Sequence, residues 1–118
     1  MEQNGEKVFD LEERTLAFAR TVREFVKVLP RSVATIEDGR QLVRSSGSVG
    51  ANYIEANEAL SKKDFAMRVK IARKEAKESR YWLRLIEVTQ PLEVKRAVLE
   101  REATELMLIL SAILLKSE

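Results

Sequence analysis

From Leu11 to Ile113 the apolar residues return at intervals of three and four, and the pattern is interrupted at Pro30, at Ser61 and at Gln90-Pro91. Such intervals keep side chains on one face of an α-helix, so a chain built this way must bury four helical stripes against one another. The first stripe is Leu11, Thr15, Phe18, Val22, Phe25 and Leu29. The second is Leu42, Ser46, Val49, Tyr53, Ala56 and Leu60. Phe65, Val69, Ala72, Ala76, Ser79, Leu83 and Ile86 form the third and most regular, and Leu99, Ala103, Leu106, Leu110 and Ile113 form the fourth.

The punctuation agrees with the stripes. Pro30 ends the first helix, because proline lacks an N–H and clashes with the preceding turn. Thr35 with Asp38 resembles a capping box for the second helix, and Ser61 with Asp64 repeats the signal for the third. Pro91 suits the first position of the fourth. The predicted helices cover about residues 10–29, 36–60, 62–89 and 92–116. Short connections between long helices favour antiparallel neighbours, and no alternating β-pattern, internal repeat or low-complexity stretch intervenes. The expected fold is all-α, an antiparallel up-down-up-down four-helix bundle. A chain of 118 residues has room for one domain and one core, here residues 1–118.

Cysteine and histidine are both absent. That removes thiolate nucleophiles, disulfides, imidazole bases and the usual zinc ligands together. Di-metal bundle sites built on Glu-x-x-His pairs and nucleases built on an Arg and His pair go with them. Neither a glycine-rich phosphate loop nor a nucleophile elbow is present, so the chain is read as non-enzymatic, with no cofactor and no metal. Met1 to Lys7 is polar and lacks a secretory apolar stretch. The apolar run Leu106–Leu115 spans ten residues, against about 20 for a bilayer crossing. A cytoplasmic protein without a membrane span is expected.

The net charge of +2 conceals an asymmetry: residues 61–90 hold nine Lys or Arg against four Asp or Glu, a surplus of +5. With Phe65 and Val69 on the seam, Lys63, Lys70, Lys77 and Arg84 recur every seven residues facing away from the core, with Lys74 and Tyr81 beside them. Cations spaced along a helix neutralise phosphates and release counterions, and an interleaved aromatic can stack on an unpaired base. RNA or DNA is therefore a candidate partner. The other reading is a solvated face whose lysines keep the bundle soluble, partly balanced by Glu75 and Glu78.

Four further features call for an explanation. In Ser45-Ser46-Gly47-Ser48-Val49-Gly50-Ala51, each mid-helix glycine costs roughly 1 kcal/mol relative to alanine, which close approach of a neighbouring helix would offset. Arg44, Asn52 and Glu55 fall on nearly one side of helix two and are read as a structural polar cluster, with Arg73 or Arg80 as alternative partners for the carboxylate. Trp82, beside Tyr81, is read as sealing the edge of a helix–helix contact, its indole N–H finding a partner. Helix four is apolar around most of its circumference at Leu106, Met107, Leu108, Ile109, Leu110, Ile113, Leu114 and Leu115. Helices of that kind are buried all round, so this end is expected to pack against another copy of the chain.

Two segments resemble a known family. Gln41-Leu42 with Arg44, then Ser48-Val49-Gly50-Ala51-Asn52 and Glu55, followed by Ser61, Asp64 and Phe65, form the first. Lys74-Glu75-Ala76-Lys77-Glu78-Ser79-Arg80-Tyr81-Trp82-Leu83-Arg84-Leu85 is the second. Together they resemble the bacterial four-helix bundle proteins encoded in intervening sequences of large-subunit ribosomal RNA genes. Gly50 stands where many relatives carry proline, and Ala56 where many carry glycine. The resemblance implies a four-helix bundle, a ring-like homopentamer, and kinship with retroelement accessory proteins that bind nucleic acid and a reverse transcriptase. It implies no enzymatic activity. Two functions follow: a homo-oligomeric nucleic-acid-binding or accessory protein, or a structural or protein-interaction module.

Overall fold

The computed structural model describes residues 2–117, with the side chains of residues 11–117. All of Met1 and Glu118 and the side chains of residues 2–10, and with them those of the polar N-terminal segment Met1 to Lys7, lie outside the described residues. Helices α1 (Glu2–Lys27), α2 (Val33–Asn57), α3 (Lys62–Leu85) and α4 (Leu92–Ser117) make up the chain. Among the described residues there is no strand, and no helix is long and apolar enough to cross a membrane.

Each helix packs against its neighbours in sequence, and α4 returns to α1. Cross-helix bonds fix the directions. Ser45 meets Ser79 while Asn52 meets Arg68, an order that runs backwards and makes α2 and α3 antiparallel. Arg73 with Ser111 and Arg84 with Glu100 do the same for α3 and α4. On α1, Arg14 donates to Glu102 of α4 through Nε at 2.7 Å and Nη2 at 2.8 Å, a fork-to-fork pair joining the two ends of the chain.

The four stripes form the core, with Val22, Leu42, Val49, Val69, Leu83, Leu106 and Leu110 fully buried. Leu60 is the exception. It lies beyond the end of α2 and is 98 % exposed. The helix ends at Asn57 rather than at residue 60, with the Glu58 N–H closing the last turn onto Glu55 and Ala56. Its start also differs from the expected Thr35 and Asp38 box. Ser32 is the N-cap: its hydroxyl accepts from the Thr35 N–H, and the Thr35 hydroxyl oxygen accepts from the Ser32 N–H. Ser61 caps α3 as expected, accepting from the Asp64 N–H. That helix stops at Leu85 rather than at residue 89, where Ile86 turns extended and buries its side chain. Upstream, α1 starts at Glu2 rather than near residue 10, because the stripe is marked by apolar residues and the segment before Leu11 offers few of them. It ends at Lys27, ahead of Pro30, with Leu29 still buried in the turn.

The glycines of α2 divide sharply. A Cβ at Gly50 would sit 2.8 Å from Thr15 Oγ1 and 3.1 Å from Thr15 Cβ, so α1 approaches α2 through the missing side chain. At Gly47 nothing lies within 4 Å. Helix propensity favours alanine at both sites equally, so the difference between them isolates packing. Gly47→Ala should raise unfolding stability by about 0.5–1 kcal/mol. Gly50→Ala should lower it by about 1–3 kcal/mol. Urea titration checks this, and the same sign for both would show that α1 does not close onto Gly50.

Candidate nucleic-acid interface

Packing of α3 between α2 and α4 leaves one arc of it to solvent. Lys63, Met67, Lys70, Lys74, Lys77, Tyr81 and Arg84 occupy that arc, and all are exposed. At steps of three and four they form a single line, roughly 31 Å long at 1.5 Å per residue. The six residues expected on this face are brought together, and Met67 joins them between Lys63 and Lys70. It escaped the sequence reading because that reading sought cations and aromatics.

What makes the line electrostatically distinct is the fate of the carboxylates beside it. On the α2 flank, Arg44 donates through Nη2 to Glu78 Oε2 and lies 3.5 Å from Glu75 Oε1. Glu75 and Glu78 therefore turn toward α2 and pair with Arg44 rather than with a lysine, although the Lys74 charge still acts on Glu78 from nearby. Glu75 is buried, and its Oε1 has the Arg44 charge nearby but no hydrogen bond. On the α4 flank, Arg96 forks onto Glu93 at 2.7 and 2.8 Å and donates to Glu100 at 2.8 Å. Its Nη1 also donates to the Leu83 carbonyl at 3.0 Å, bracing the turn between α3 and α4. Arg84 reaches Glu100 only at 3.7 Å. Among the described residues Lys63, Lys70, Lys74 and Lys77 form no ion pair.

The aromatic end of the line is tied down. Trp82, half-buried, donates from Nε1 to Glu78 Oε2 at 3.0 Å, which is the partner its position called for. Tyr81 stands edge-on to Trp82 with ring centroids 5.1 Å apart and planes at 76°. The Trp82 hydrogen bond foremost, followed by the Arg44 guanidinium, holds the Glu78 carboxyl below its ordinary value of 4.5. Arg44 is raised in turn, chiefly by its bond to Glu78.

One grouping read from the sequence does not assemble. Arg44, Asn52 and Glu55 make no cluster: Arg44 turns to α3, Asn52 accepts from Arg68 at 3.1 Å and donates to the Ser48 carbonyl, and Glu55 is exposed. Glu55 shares their side of α2 but lies three turns beyond Arg44, roughly 16 Å along the helix at 1.5 Å per residue, while Arg44 is held by the nearer carboxylates of α3. Arg73 donates to Ser111 instead. In α4, Leu106, Leu110 and Leu114 belong to the chain's own core and are closed to a second copy. Met107, Ile109 and Ile113 are partly buried against that core, while Leu108 is 62 % and Leu115 72 % exposed. Sequence reasoning missed the Arg14–Glu102 pair, which only tertiary contact brings together. The Arg96 fork had a signal in its carboxylates three residues before and four after.

Residues 8–112 match the family described as 23S rRNA-intervening sequence protein. A solved structure from Bacteroides thetaiotaomicron, described as a protein with unknown function from the S23 ribosomal protein family, is 31% identical. It covers 88% of this chain and 97% of its own, with a TM-score of 0.71. No curated protein matches the chain.

A carboxyl with a depressed folded-state pKa adds stability above its ordinary value, and that stability is lost as pH falls through the folded value. Glu78→Gln should therefore lower stability at neutral pH by roughly 0.5–1 kcal/mol, the exposure of Arg44 limiting the effect. Thermal melts of the two proteins should converge as pH falls from about 5 toward 3. A constant gap across that range would mean that the bridge owes nothing to the charge.

Proposed function

The chain belongs to the 23S rRNA-intervening sequence protein family, and on that premise we propose that it acts without catalysis, as a homo-oligomeric nucleic-acid-binding or accessory protein of the cytoplasm. The observation that carries this reading is the line of exposed lysines on α3, with Glu75, Glu78, Glu93 and Glu100 already engaged by Arg44 and Arg96. Lysines left without intramolecular partners gain most from phosphates, because binding releases condensed counterions and gives up no internal ion pair. Lys63, Lys70, Lys74, Lys77 and Arg84 contact phosphates in this reading. Assembly into a ring of five, which the family resemblance implies, would repeat the line around a closed surface and raise avidity without any new contact. A reverse transcriptase or other protein is a further partner that the resemblance implies.

A second reading, a structural or protein-interaction module, is favoured by the apolar side chains that α4 leaves in solvent, Val94, Val98, Leu108 and Leu115. The two readings separate by salt. Under the first, anisotropy of labelled structured RNA and duplex DNA should show binding that weakens steeply between low and near-physiological salt. Lys70→Glu with Lys77→Glu should leave the circular dichroism unchanged, weaken binding at least tenfold, and reduce the salt slope by about 2. No binding at either salt concentration would assign the protein to the interaction class.

A further inference from the structure

Resting on the reading of α3 as a phosphate-contacting surface, we propose that the partner is single-stranded nucleic acid, with an unpaired base stacked on Tyr81. Tyr81 is 57 % exposed although it carries a large apolar ring. It also packs against a neighbour that is itself held. Its ring rests against the face or edge of Trp82, the Trp82 indole is held by Glu78, and Glu78 is held by Arg44 from α2. An aromatic side chain anchored through two further residues to a neighbouring helix loses little conformational freedom when a ligand settles on it. Cations stand one turn to each side, Lys77 before it and Arg84 after it, with Lys74 a turn further back. A base on the ring would therefore have its flanking phosphates within reach of positive charge.

The placement of α3 argues against a duplex. The major groove admits a single helix or a two-stranded ribbon, whereas α3 is flanked on both sides by α2 and α4 and presents part of a wall. Bases inside a duplex are stacked on one another and offer no free face to Tyr81, so a duplex would meet only the lysines. Recognition through an aromatic platform between backbone-tracking cations is the mode of sequence-tolerant single-strand binding. At the other end of the line Met67 is an exposed apolar side chain between Lys63 and Lys70.

The test uses labelled oligouridylate, which does not pair with itself, and a fully paired RNA duplex, both titrated at low salt. Tyr81→Leu should weaken oligouridylate binding by about 5- to 150-fold, leave duplex binding within about twofold, and leave the thermal melt in place. Tyr81→Phe, which keeps the ring, should bind both probes like the unaltered protein. Fluorescence of Trp82 gives a readout that needs no variant: oligouridylate should quench it more than the duplex does. Equal loss of both probes in Tyr81→Leu, or no loss of either, would overturn the stacking inference. If Lys70→Glu with Lys77→Glu still abolished binding, the phosphate surface would stand without it. Failure of the unaltered protein to bind either probe would overturn the surface itself and this inference with it.

Discussion

α3 is buried on two sides at once, and most of what is distinctive in the molecule follows from that. Its contact arc is lined by small residues, Ala72, Ala76 and Ser79, which let α2 and α4 come close without large cavities between them. The Ser45 and Ser79 hydroxyls meet at 2.8 Å within this seam, and the Ser79 hydroxyl also donates to the Glu75 carbonyl. Buried hydroxyls paired in this way add less free energy than a larger apolar pair would, but they tolerate a single register. With the register fixed, the remaining arc of α3 is fixed as the outward one.

The same double burial creates an electrostatic problem at the edges. Carboxylates fall at the rims of both contacts, and one of them, Glu75, is drawn almost wholly out of solvent. A buried carboxylate is costly unless a cation lies near it. Arg44 meets that need from α2, serving Glu75 and Glu78 together, and Arg96 does the equivalent on the α4 side with Glu93 and Glu100. Arginine suits the task because its planar fork can address two carboxylates or two oxygens of one. The arginines thus carry the internal pairing, and the lysines of α3 are left outside it.

The α1–α4 contact is of a different kind. There the helices stand further apart, and a shallow groove lined by Ala17, Phe18, Thr21, Val98 and Leu99 remains between them. Arg14 spans it to Glu102 and to Glu105, at 2.9 Å for the latter. Closure of the bundle here relies on a polar bridge across a partly open apolar seam, which fits the greater exposure of Val94 and Val98 on α4.

The spacing of apolar residues determined the four helices, their seam and the basic line, because 3.6 residues per turn converts a linear pattern into a face without reference to any other helix. Phe65 through Ile86 sufficed to place Lys63, Lys70, Lys74, Lys77, Tyr81 and Arg84 on the side away from the core. The Ser61 cap was likewise a local signal, whereas Ser32 and Thr35 outcompeted the Thr35 and Asp38 pairing through hydrogen bonds that the sequence states only ambiguously. Tertiary structure alone decided which charges meet. Arg44 joins Glu78 rather than Glu55 because the antiparallel register of α2 on α3 sets distances that separation along the chain does not. It also decided that Leu114 rather than Ile113 completes the inward face of α4, while Leu108 and Leu115 remain in solvent. A helix apolar on every side has no preferred face of its own, and its orientation comes from the neighbours it packs against.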